Sequence, residues 1–115
     1  MPRYTLHLAP KAEFEASDPS SDYAPAAFAR EGFIHCTDGA EEMARTANRH
    51  YAGDPREFLV LVLDRERIAA PVTVEDERGI YPHIHGRLNR DAIVRIVPMP
   101  RSPDGRFLPP ELGAP

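Results

Sequence analysis

Apolar and polar residues alternate from Tyr4 to Leu8, placing Tyr4, Leu6 and Leu8 on one face and Thr5 and His7 on the other. The pattern predicts a first strand with a core face and a polar face. Pro10 suits the first position of a short helix over Lys11 to about Ala16, with Phe14 turned inward. Residues 17–22 (Ser-Asp-Pro-Ser-Ser-Asp) have the composition of a loop. Pro25 to Glu31 predicts another short helix, closed by Gly32 in the left-handed conformation.

A second strand is expected over Phe33–Thr37, with Phe33, His35 and Thr37 on one face and Ile34 and Cys36 on the other. Asp38 and Glu41 have capping-box spacing, and Ala40, Ala44, Ala47 and Tyr51 then recur at helical intervals. Phe58 to Leu63 is apolar on both faces, the mark of a central strand covered on both sides. Arg65 to Ala70 reads as a turn or a single helical turn. Pro71 to Glu75 alternates again, with Thr73 and Glu75 on the polar side, and residues 76–82 form a polar loop. Pro82-His83-Ile84-His85-Gly86 follows, and Ala92 to Val97 is the last expected strand. The division expected is one domain over residues 1–97 and a tail over 98–115, which holds six of the chain's 13 prolines and is expected to lie on the surface or stay partly unstructured.

Composition narrows the function without naming it. With 115 residues, 42% hydrophobic and 28% charged, the chain has the make-up of a single globular domain. A net charge of -4 offers no basic face for nucleic acid. No apolar run approaches a membrane span and no signal-peptide pattern opens the chain, so a cytoplasmic protein without membrane contact is expected. The single cysteine, Cys36, rules out an internal disulfide. Because neighbouring strand residues face opposite sides, His35 is poorly placed to activate Cys36, and a buried, inert thiol is expected.

The candidate chemistry lies in polar residues on strands. His7, His35 and Glu75 each sit opposite the aliphatic side of their strand, so they share a cleft if those strands are neighbours. His83 and His85, two apart, would join His35 as three imidazoles for a zinc ion if the alternation holds there. Pro82 and Gly86 instead suggest a turn, and no metal is expected. Arg87, Asn89 and Arg90 suit an anion site or a solvated turn equally.

Several of these segments together resemble a known family. They are Tyr4-Thr5-Leu6-His7-Leu8, Glu31-Gly32-Phe33-Ile34-His35-Cys36-Thr37, Thr46 to Tyr51, Leu59-Val60-Leu61, Val74-Glu75, and Pro82 to Asn89. Over Tyr4 to Val97 the chain is similar to the domain-of-unknown-function 952 family of small bacterial proteins, many of which have tyrosine in place of His85 and proline in place of Arg87. That family resembles the ADP-ribosyltransferase fold. The resemblance implies an α+β domain with split, mostly antiparallel sheets, flanking short helices and NAD as the substrate.

By the same resemblance, His7 would bind the adenosine ribose, and His35 would replace the tyrosine that stacks on nicotinamide. Glu75 would be the catalytic glutamate, with His35 beside it. Thr37, His83 and Asn89 would complete the cofactor-binding set. NAD-dependent ADP-ribosyl transfer or NAD glycohydrolysis is the activity implied, with an unidentified acceptor. The alternatives are a non-catalytic nucleotide or small-metabolite binder and a histidine-based metal protein.

Overall fold

The computed structural model describes residues 2–113. In chain order the elements are β1 (Tyr4–Pro10), α1 (Lys11–Ala16), α2 (Phe28–Glu31), β2 (Ile34–His35), α3 (Ala40–Tyr51), β3 (Phe58–Asp64), β4 (Val72–Val74), β5 (Pro82–Ile84) and β6 (Ile93–Pro98). Single 3₁₀ turns at Arg65–Arg67 and Arg90–Ala92 join β3 to β4 and β5 to β6. All pairings are antiparallel. One sheet has the order β1-β3-β6 and the other β2-β5-β4. The chain is therefore a small α+β protein.

The doubly apolar run of β3 has the predicted consequence: β3 is the central strand of the first sheet and is covered on both sides. On one side Val60 and Val62 join Leu6, Phe58 and the α3 residues Met43, Ala44 and Ala47. On the other, Leu61 and Leu63 join Ala9 and the second-sheet residues Ile34, Cys36 and Ile84. Three layers result: α3, the first sheet and the second sheet.

β1 departs from its predicted division into a core face and a polar face. It pairs with β3 residue for residue, so it too lies between layers, and Thr5 and His7 are buried along with Leu6. Tyr4, assigned to the core face by alternation, is exposed because it lies at the strand's outer end. The second strand is shorter than expected: only Ile34–His35 form a ladder, while Thr37 makes an isolated bridge to Leu6. The helix predicted from Pro25 begins at Phe28, and Gly32 ends it with φ 79°, its N–H bonded to the Phe28 carbonyl.

The capping box expected at Asp38 does not form. The N-cap of α3 is Gly39 at φ 91°, without a side-chain cap. Asp38 turns inward to face Arg65 at 3.5 Å, and burial pushes its carboxyl pKa up despite the pull of the Thr5 hydroxyl and Arg65.

The proline-rich tail is not a loose wrap. Beyond β6 it folds back by an Arg101–Phe107 bridge, and Met99 and Phe107 enter the core beside Met43 and Phe58. Asn48 on α3 binds both backbone groups of Phe107: its Nδ2 donates to the Phe107 carbonyl at 3.0 Å, and its Oδ1 accepts from the Phe107 N–H at 2.8 Å. With Phe107 only 1% exposed, Phe107→Ala is expected to lower the unfolding free energy by ~3–5 kcal/mol. Urea unfolding checks this, since a surface-lying tail would give a change within about 0.5 kcal/mol.

Candidate functional site

The pleat of the second sheet separates its two chemistries. Register aligns Ile34 with Ile84 and Val72, and these face the first sheet. One residue along, His35, His83 and Thr73 align across all three strands and face outward. Phe33 and His85 extend this outer row. The Phe33 and His83 rings stack at 4.2 Å with 21° between their planes, and the His35 ring meets Phe33 edge-on at 4.6 Å. His85 lies 6.1 Å from Phe33 and is hydrogen-bonded through Nε2 to Thr73 Oγ1 at 2.7 Å. Pro82–Ile84 is a strand rather than the turn that Pro82 and Gly86 suggest, and it is held because the His85 N–H bonds to the Pro71 carbonyl.

Two carboxylates border this row. Glu31, the last residue of α2, accepts a hydrogen bond from His35 Nε2 at 3.2 Å. Glu75 is exposed just beyond β4, close enough to His83 to favour its protonated form. Burial has the larger, opposite effect on His83, and the neighbouring His35 adds to it, so the His83 pKa lies below an ordinary imidazole's. At neutral pH His83 is thus an uncharged ring stacked on Phe33.

His7 is not part of this face. Its ring points between the sheets with 5% exposure, and its Nδ1 lies 2.7 Å from the His35 backbone carbonyl. A carbonyl only accepts, so Nδ1 carries the proton and donates. The two histidines are therefore linked through the β2 backbone while their rings lie on different sides of it, and the shared cleft expected for His7, His35 and Glu75 does not form. The cause is the burial of both β1 faces. Burial also drives the His7 pKa down, keeping the imidazole neutral.

Two further expected ligand contacts are occupied by the protein itself. Thr37 is buried and exchanges both backbone hydrogen bonds with Leu6, at 2.8 and 3.0 Å. Asn89 Oδ1 accepts from the Ala69 N–H, and its Nδ2 donates to the Arg67 carbonyl and to Asp91, so both amide hydrogens are used inside the protein. Arg87 and Arg90 likewise hold the 17–22 loop, donating to the Asp22 and Ser21 carbonyls. Cys36 lies in the inner core with its pKa pushed up by burial, as an inert thiol should.

Among the described residues no three histidine, cysteine or acidic side chains are grouped to hold a metal ion. Two hollows lie elsewhere, around Lys11, Glu57 and Arg101, while along the imidazole row His35, His85 and the neighbouring Glu75 are exposed. Glu31, Phe33 and Thr73 belong to this face although the sequence did not single them out as candidate site residues. For Phe33 and Thr73 the signal was present in the alternation that placed each beside a chosen residue. Glu31 has no strand periodicity and reaches His35 only through the Gly32 turn.

The chain belongs to the DUF952 family of proteins of unknown function, whose sequence profile matches residues 8–96. No curated protein matches the chain. Its fold is similar to that of protein CC0527 from Caulobacter crescentus, seen in crystal structures of that protein and of its double mutant. Each is 20% identical, with a TM-score of 0.75, covering 91% of this chain and 93% of that one. No helix among the described residues is long and apolar enough to cross a membrane.

The buried His7 makes stability pH-dependent. Its folded pKa lies below the unfolded value of ~6.5, so as pH falls through that value the unfolded chain takes up a proton that the folded one refuses. Unfolding free energy should therefore fall on acidification below about pH 6.5, by up to ~1.4 kcal/mol per pH unit. Urea midpoints measured from pH 7.5 to 5 should show this slope in the wild type. It should be flatter in His7→Gln, with the remainder assigned in part to His83, whose shift has the same sign.

Proposed function

We propose that the open face of the β2-β5-β4 sheet binds NAD and breaks its nicotinamide–ribose bond, transferring ADP-ribose to an acceptor or to water. The observation that carries this reading is the alignment of two stacked rings, an exposed imidazole and a carboxylate on one face of three paired strands. Phe33 and the uncharged His83 offer a flat π surface to a pyridinium ring. Glu75, beside that surface, is suited to the positive charge that develops on the ribose as nicotinamide departs with the bonding electrons. The resemblance to the ADP-ribosyltransferase fold expected from the sequence implies the same chemistry. Within this reading the buried His7 positions β2 and does not touch the ribose.

The exposure of His35 and Glu75 favours a second reading, a binding module for a nucleotide or small metabolite, because both groups stand open to solvent. Two measurements separate the readings. NAD or ADP-ribose at ~100 times its dissociation constant should stabilise the protein by roughly 2.7 kcal/mol in thermal melts. Glu75→Gln should leave that shift in place while nicotinamide release falls ~100-fold, since the lost charge acts on the transition state. Stabilisation by NAD without any nicotinamide release would establish the binding module. Release that survives Glu75→Gln would remove Glu75 from the mechanism.

A further inference from the structure

We infer that Glu31 and His35 form a carboxylate–imidazole dyad in which His35 is the general base that activates an oxygen acceptor, water or a hydroxyl group. The inference rests on the NAD reading for its substrate, and on the geometry of the pair for its chemistry. Glu31 Oε2 lies 3.2 Å from His35 Nε2. An ionised carboxylate offers acceptors only, so the neutral ring must donate from Nε2. That fixes the tautomer and leaves Nδ1 as the nitrogen with the bare lone pair.

The pair differs from an ordinary surface ion pair in how its geometry is held. Gly32, at φ 79°, reverses the chain between the end of α2 and β2 and brings the residue four positions earlier onto the ring. Phe33 meets the same ring edge-on at 4.6 Å, and His83 does so at 5.5 Å. The backbone under the ring is fixed in turn by His7 donating to the His35 carbonyl. The side chain keeps 59% of its surface open, so a base ring held by three side chains still faces solvent and incoming acceptors.

In the step assigned to the dyad, the acceptor oxygen attacks the ribose carbon while its proton passes to His35 Nδ1. The carbon–nitrogen bond to nicotinamide breaks, and the electron pair leaves with the ring as neutral nicotinamide. His35 then returns its proton to solvent. Glu31 touches neither substrate nor acceptor and acts as a positioning residue through His35. Glu75 keeps the separate task of facing the ribose charge.

The test has one arm that needs no turnover. In ¹⁵N-labelled full-length protein at about pH 8.5, two units above an ordinary imidazole's ~6.5, ring-nitrogen shifts report the tautomer directly. The wild type should show His35 Nε2 as the protonated nitrogen and Nδ1 as the bare one, and Glu31→Ala should narrow the separation between them. An Nδ1–H tautomer, or shifts unmoved by Glu31→Ala, overturns the dyad.

The second arm uses NAD with water as acceptor. His35→Ala should lower kcat by ~100-fold or more, as loss of a general base does. Glu31→Gln should lower kcat about 10-fold at constant KM, a smaller loss than the ~10⁴ seen for a buried orienting carboxylate because this pair is open to solvent. In the His35→Ala background Glu31→Gln should have no further effect, and additive losses would overturn the positioning role. Absence of nicotinamide release from wild type would refute NAD cleavage and with it the base role of His35, while the ring shifts still decide whether Glu31 and His35 form the hydrogen-bonded pair.

Discussion

The seam between β1 and β2 is the constraint on which the rest of the structure depends. Three hydrogen bonds hold it: the mutual pair between Leu6 and Thr37, and the bond from the His7 imidazole to the His35 carbonyl. β2 is the edge strand of its sheet, with only β5 as a ladder partner. Without the seam, its outer backbone groups would be left unpaired against a buried layer, where each orphaned group costs ~1–3 kcal/mol. His7 is thus a side chain completing a backbone ladder. Its low pKa follows from that task, because a proton added in the core would be neither solvated nor paired.

The seam also determines which residues reach solvent. It presses the Ile34 and Cys36 side of β2 onto Leu61 and Leu63, and the two-residue period of the strand then turns His35 outward. β5 and β4 follow in register, so His83 and Thr73 appear on the same outer face. A face rich in imidazoles would be costly to bury unpaired but is inexpensive at the surface, where stacking on Phe33 covers His83 in part. The inner side gains the apolar burial while the outer side keeps groups that titrate and exchange protons.

The opposite face of the first sheet is closed by α3 and by the residues after β6. A sheet of three strands with one helix over it leaves apolar surface at the far end, and Phe107 and Met99 cover it. Asn48 binds both the N–H and the carbonyl of Phe107, so the tail is fixed as a strand partner would be, although its prolines keep it from extending a sheet.

The sequence alone determined the elements whose signal is local. The doubly apolar run of Phe58–Leu63 identified the central strand, the helical spacing from Ala40 to Tyr51 identified the main helix, and Gly32 marked the end of α2. The segments from Tyr4 to Asn89, most specifically those around Glu31–Thr37 and Pro82–Ile84, indicated the family. Alternation also grouped His35 with Phe33 correctly and set both against Ile34. What it left open was coverage. Period two says which residues share a face, and only the packing of distant segments says whether that face meets water. β1 shows the difference: Thr5 and His7 read as a polar face, yet the second sheet covers them. Phe107 sits in a proline-rich stretch with no periodicity, and Glu31 reaches His35 through a turn. Their places depend on contacts with α3 and with the β2 side chains, which only the folded chain brings within reach.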